Sequence, residues 1–284
     1  MSISASAVTV ELNISVWTAN KLDKTATDTV IAANHAQSND AAQVRKNLMS
    51  GTTVRKKIAD FAAGCRLWHN THTLPWADKG ARLLPTSLFM DYKDEMNARR
   101  SLFDDMVSEF ILEYPQLVQI ARSSMGSLYN AEDYPSAEGV QDKFGFRLVF
   151  SPVPEAGDFR LDIPQQDLAD MRADYDIAFN DRLADAMHMP WTKLHDMLTN
   201  MSAKLTGSDE DTQKRWHDTF LTNGYDLCAM LSHLNITKDP HLESARRQLE
   251  TALLNTNIEA IKSDDAERDN LKTKLDAILQ GYEW

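Results

Sequence analysis

Hydrophobic and polar residues alternate near the start of the chain, where Val8, Val10, Leu12, Ile14 and Val16 are interleaved with Thr9, Glu11, Asn13, Ser15 and Trp17. A period of two predicts a half-buried strand over 8–16. The period then changes. Asp40 is placed to cap a helix over AAQVRKNLMS, with Gly51 as its stop. From Thr52 or Thr53 a longer helix is predicted, because Val54, Ile58, Phe61, Cys65, Trp68 and His72 recur at steps of four and three and so form one apolar face. The stretch from Leu74 to Pro85 is bracketed by prolines, holds Gly80, and reads as a loop. Phe89, Tyr92, Met96, Phe103, Met106 and Phe110 define an amphipathic helix over about 87–114. Pro115 is expected to break or kink it before a further helix to about 129.

After Asp133-Tyr134-Pro135 a short helix is predicted, then two strands, FRLVF (146–150) and DFRLDI (158–163), joined by SPVPEAG. From Pro164 onward the patterns are helical: 164–189 and 190–205 divided at Pro190, then about 210–234, 240–261 and 264–280. The fold class expected is α+β, predominantly α-helical, with a small antiparallel β-sheet that pairs the N-terminal strand with 146–150 and 158–163. Gly207-Ser208-Asp209 interrupts the chain. The organisation expected is a main α+β domain over 1–206 and a C-terminal helical segment over 207–284 serving oligomerisation or partner contact.

Composition adds little until charge is mapped along the chain. Hydrophobic residues make up 43% of 284 and charged residues 25%, ordinary for a globular protein. No apolar run is long enough to span a bilayer, and the first residues lack the basic region and apolar core of a signal peptide. Two cysteines are too few for a disulfide framework, which suits a reducing cytoplasm and no membrane partner. The net charge of −12 taken alone argues against a polyanion ligand. Yet between Arg45 and Arg82 there are eight Lys or Arg against two Asp, whereas 151–200 holds ten Asp or Glu against four Lys or Arg. A basic island in an acidic chain is either a solvated helix surface or a polyanion contact.

Candidate chemistry is sparse. There is no phosphate loop, dinucleotide fingerprint or nucleophile elbow, and ten glycines leave little room for phosphate-cradling turns. No catalytic residue and no cofactor are assigned. Cys65, His69 and His72 have spacings that suit zinc on one helix side, but two of them belong to the apolar stripe and no fourth ligand is evident, so no metal site is assigned. Asp167, Asp170 and Asp174 share a helix face that reads as a solvated acidic surface. The remaining signal is the island itself. Arg45, Lys46, Arg55, Lys56, Lys57, Lys79 and Arg82 surround Phe61, Trp68 and Trp76. Cations that track phosphates beside rings that stack on unpaired bases are what a single-stranded nucleic-acid surface requires. Phe61 and Trp68 lie on the apolar stripe and read as core, while Trp76 sits in the loop and is the candidate stacking ring. Phe146 and Phe150, around Arg147, read as hairpin core. The candidate surface is therefore Arg45, Lys46, Arg55, Lys56, Lys57, Trp76, Lys79 and Arg82.

Several fragments, in order from about residue 8 to 162, resemble a family of bacteriophage proteins of largely unknown function. They are NISVWTANK, NTHTLPWADKGARLLP, FMDYKDEM, EYPQLV, EDYPS and FRLVFSPVPEAGDFRL. The chain is also similar to a single-stranded-DNA-binding RNA polymerase cofactor of phages that carry a virion-packaged polymerase. The resemblance implies binding to unwound promoter DNA, recruitment of a phage RNA polymerase, the cytoplasm of an infected host cell, and a fold that is not an OB-fold. It carries no binding motif, so the site residues above rest on charge and aromatics. The competing expectation is a non-enzymatic protein-interaction adaptor, for example a partner of a phage-encoded AAA+ ATPase. It would use the acidic helices, with self-association as a further partner expectation.

Overall fold

The computed structural model describes residues 3–77, 80–154, 165–206, 219–254 and 256–284. After a single helical turn, α1 (Ile3–Ser6), the alternating segment forms β1 (Ala7–Ser15), with Val10 and Ile14 buried and Glu11, Asn13 and Ser15 on its more exposed side. Both edges of so long a strand need partners for their backbone groups. The order β4-β5-β1-β6 supplies them, from β4 (Leu74–Pro75), β5 (Ala81–Pro85) and β6 (Gly145–Ser151). The expected pairing of the N-terminal strand with 146–150 is present, and 158–163 lies outside the described residues. The other partner is a correction. The segment read as a loop holds a hairpin, in which β5 runs antiparallel to β1 from Ala7 opposite Pro85 to Glu11 opposite Ala81. Gly80 takes φ +91 just before β5, Ala77 N–H donates to the Ala81 carbonyl, and Leu83 and Leu84 are fully buried. Prolines at both ends punctuate the hairpin without interrupting it.

A second, two-stranded ribbon pairs β2 (Asn20–Leu22) with β3 (Arg45–Asn47), Asn20 opposite Asn47. Between them runs α2 (Lys24–Ala33), capped by the Asp23 carboxylate, which accepts from Ala26 N at 2.9 Å. The helix expected after Asp40 does not form. So short a segment is marginal as an isolated helix, and here 45–47 gain backbone partners in β2 while Leu48 and Met49 become buried.

Helix α3 (Val54–His72) starts where expected, but its buried line is Ile58, Ala62, Cys65 and His69, leaving Phe61, Trp68 and His72 half-buried at its margin. Helix α4 (Phe89–Met125) continues through Pro115, and α6 (Gln165–Leu205) through Pro190. Neither proline ends its helix. Between these two helices, α5 (Ala137–Gln141) is capped by Ser136. The C-terminal elements are α7 (Thr219–Leu234), α8 (Pro240–Leu254), α9 (Ile258–Ser263) and α10 (Asp265–Gly281). The fold is α+β and predominantly helical, and no helix among the described residues is long and apolar enough to cross a membrane.

Two compact units result. The first comprises residues 1–11, 70–92 and 149–284. Its helical core gathers Leu194, Leu198, Met201 and Leu205 of α6 with Phe220 and Leu231 of α7, Leu249 of α8 and Leu275 of α10. Gly224 in α7 permits this closeness: a Cβ there would lie 2.6 Å from Leu253 Cδ1. The second unit comprises 12–69 and 93–148. In it Trp17 meets Phe110 and Tyr114 of α4 at 6.4 and 6.0 Å between ring centroids, and Phe144 meets Phe103 and Phe110. The boundary expected near 206–209 falls at the edge of 207–218, outside the described residues.

Candidate nucleic-acid interface

Charge separates between the units. The second holds fourteen Lys or Arg and fourteen Asp or Glu, leaving sixteen against twenty-eight in the first, so the first carries the whole −12. The cations of the basic island fall in both. Arg45, Lys46, Arg55, Lys56 and Lys57 belong to the second unit, Trp76 and Arg82 to the first, and Lys79 lies outside the described residues.

Within the second unit the start of α3 is fixed from below. Gly51, at φ +80, sits so close to α4 that a Cβ would meet Ser124 Cβ at 3.1 Å, and the Ser50 and Ser124 hydroxyls are 2.9 Å apart. Arg55 Nε then donates to the Trp17 carbonyl at 2.7 Å, and three turns later Arg66 Nη2 donates to the Ile14 carbonyl at 2.7 Å. These two arginines clamp α3 along the end of β1 and the residues just after it. Lys56 and Lys57 differ: both are exposed and neither makes an ion pair among the described residues. The first turn of α3 contains no acidic side chain, so the positive end of the helix dipole and two exposed lysine side chains coincide there.

Lys46 is not free. Its side chain is only 11% exposed, with Nζ 2.5 Å from Asp133 Oδ2, 3.5 Å from Asp23 Oδ2 and 3.2 Å from the Leu128 carbonyl. The Asp133 hydrogen bond holds its pKa above the ordinary lysine value. It ties β3 to the α2 cap and to the turns after α4. An open cleft of about 580 Å³ lies over it, walled by Thr25, Thr29, Ser127, Leu128, Tyr129 and Asn130. Tyr129 is 5.2 Å from the Tyr134 ring, with the Arg122 guanidinium 5.7 Å from its own centroid. Arg45, on the same ribbon as Lys46, and Arg122 are exposed. A ring beside an exposed guanidinium, next to a cleft, could not be found from charge runs, because Arg122 and Tyr129 lie outside the basic island.

Trp76 does not offer a stacking face. It is 8% exposed, in a core with Leu74, Leu83 and Val153, and its ring meets Phe179 edge-on at 5.1 Å. The segment expected to be a loop is the hairpin, and the hairpin buries the ring. Arg82 is half-buried, donating from Nε to Thr73 Oγ1 and from Nη2 to the Thr73 and Asn70 carbonyls. Trp68 has Arg99 over its ring at 5.2 Å, and Phe146 is buried against Phe103. Burial pushes the Cys65 thiol up, away from the thiolate that zinc requires. Among the described residues no cluster of His, Cys, Asp or Glu could hold a metal ion.

Set against protein-family models, curated proteins and solved structures, the chain matches none.

Proposed function

We propose that the chain is a non-enzymatic, single-stranded-DNA-binding protein that acts, as its resemblance to phage proteins implies, in recruiting a phage RNA polymerase to unwound promoter DNA. One observation supports the DNA-binding reading above the others. Lys56 and Lys57 stand exposed and, among the described residues, without ion-pair partners in an acid-free first helical turn, clamped by Arg55 beside them. Phosphate is the chemistry that such a turn attracts. Arg45, Arg122 and the Tyr129 cleft supply further cations and a ring in the same unit.

The test is the salt dependence of binding to an oligo-dT strand, comparing the wild type with Lys56→Gln/Lys57→Gln. The double variant should bind all sequences more weakly, and its plot of log affinity against log salt should flatten by roughly 0.7 for each phosphate it no longer neutralises. Arg55 is left intact because its guanidinium holds the Trp17 carbonyl. Unchanged affinity and slope would make this turn a solvated surface. The adaptor reading has its own support: Asp167, Asp170, Asp174, Asp181 and Asp185 are all exposed on the first half of α6, a surface suited to a basic protein partner.

A further inference from the structure

Arg82 presents an unusual arrangement in the first unit. Its acceptors are Thr73 Oγ1 at 2.7 Å, the Thr73 carbonyl at 2.9 Å, the Asn70 carbonyl at 3.3 Å and Met189 Sδ at 3.8 Å, every one of them neutral. The last contact sets the guanidinium against α6 one turn before Lys193, which shares a helix face with Met189 at i,i+4. Lys193 is half-buried as well, and among the described residues neither cation makes an ion pair. Burying charge is costly unless a counter-charge offsets it, and a like charge within Coulombic reach adds to that cost. Both groups are held below their ordinary pKa values, in each case first by burial, and for Lys193 also by the Arg82 charge. No carboxylate among the described residues of this unit offsets that cost.

We propose that Arg82 and Lys193 together form a binding site for one phosphate group, the guanidinium fixed by Thr73 and Asn70 and the ammonium supplied from α6. A fixed guanidinium with a flexible ammonium beside it suits a tetrahedral oxyanion better than a single cation of either kind. The inference deepens the DNA-binding reading and rests on it only for the origin of the phosphate, which is either the backbone of a single strand or a free phosphate.

The experiment uses the full chain. Thermal unfolding is followed with increasing inorganic phosphate against sodium chloride at matched ionic strength, and oligo-dT binding is followed by fluorescence anisotropy, for the wild type, Lys193→Gln and Lys193→Arg. Phosphate should raise the wild-type Tm saturably beyond chloride, as ligand linkage requires. Lys193→Gln should lack that increment yet melt no lower than the wild type without phosphate, because among the described residues the lysine has no ion-pair partner to leave behind. Lys193→Arg should restore the increment. If the phosphate belongs to a DNA strand, Lys193→Gln should also bind oligo-dT on the order of tenfold more weakly. Undiminished oligo-dT binding in a Lys193→Gln protein that no longer responds to phosphate would identify free phosphate as the ligand. A wild type that binds phosphate but no oligo-dT would overturn the DNA-binding reading and leave this site standing. No phosphate-specific rise in the wild type, or a full rise in Lys193→Gln, overturns the site.

Discussion

A cation's position in the sequence says nothing of what its charge meets. Lys46 is held by Asp133 and Asp23, and Arg55 and Arg66 by the Trp17 and Ile14 carbonyls, whereas Lys56 and Lys57 are exposed with no ion-pair partner among the described residues. By composition all belong to one basic run. Trp76 follows the same logic. Its burial against Phe179 predicts that Trp76→Ala destabilises the fold by about 3–5 kcal/mol in urea denaturation. A change below about 1 kcal/mol with weakened oligo-dT binding would return Trp76 to the surface as a stacking ring. Glu243 allows a pH prediction. Hydrogen bonds from Arg246 first, and from Arg247, hold its carboxyl at about 2, below its ordinary 4.5. A depressed folded-state pKa contributes stability that is present above the unfolded value and disappears as pH falls through the folded one. Wild-type Tm should therefore fall between about pH 4.5 and pH 2 more steeply than that of Glu243→Gln. Parallel curves for the two proteins would show that the Glu243 cluster adds nothing.

Helices that run through prolines are the main departure at the scale of elements. Pro115 lacks the N–H that would reach the Ile111 carbonyl, yet α4 continues to Met125. Pro115 is exposed, so water can serve the freed carbonyl, while Tyr114 and Leu117 on either side are buried and hold the helix to its core. Packing outweighs propensity here. The prediction is that Pro115→Ala raises stability by about 1–3 kcal/mol, seen as a higher urea midpoint at unchanged m-value. Pro190 is buried in α6, so the same exchange there removes packing as well as strain and should gain less. A Pro115→Ala protein no more stable than the wild type would mean that α4 is bent to suit the proline.

At the scale of the whole molecule, the helices from Thr219 onward share a core with the second half of α6. Leu194, Leu198, Met201 and Leu205 are each under 5% exposed there. A chain ending at Thr206 would lay all four open to water, an apolar stripe with no cover. Such a chain should be found in the insoluble fraction, or elute as aggregate in size-exclusion chromatography. A monodisperse product with helical circular dichroism would instead make 207–284 a separable element, free to serve self-association. The charge asymmetry belongs to this scale too. An acidic first unit repels indiscriminate polyanion contact.

The sequence by itself determined the elements whose own periodicity reports burial on one face: β1 by its alternation, the start of α3, and the C-terminal helices, save that the stretch expected as one helix over 240–261 divides into α8 and α9. It also carried the α+β class and the core character of Phe146, because side-chain period and β-propensity are local properties. Tertiary structure decided everything that depends on a distant partner. The hairpin of 74–85 is a strand pair because β1 has an open edge, and 45–47 are a strand because β2 offers them backbone partners. The buried line of α3 is rotated toward Ala62 and His69 by what packs on it. Arg45 to Arg82 is one stretch of sequence but parts of two compact units, and Arg82 meets α6 at Met189, far along the chain and one turn before Lys193. A hydrogen bond, an ion pair or a like-charge contact depends on distance in space, and only the folded chain sets that distance.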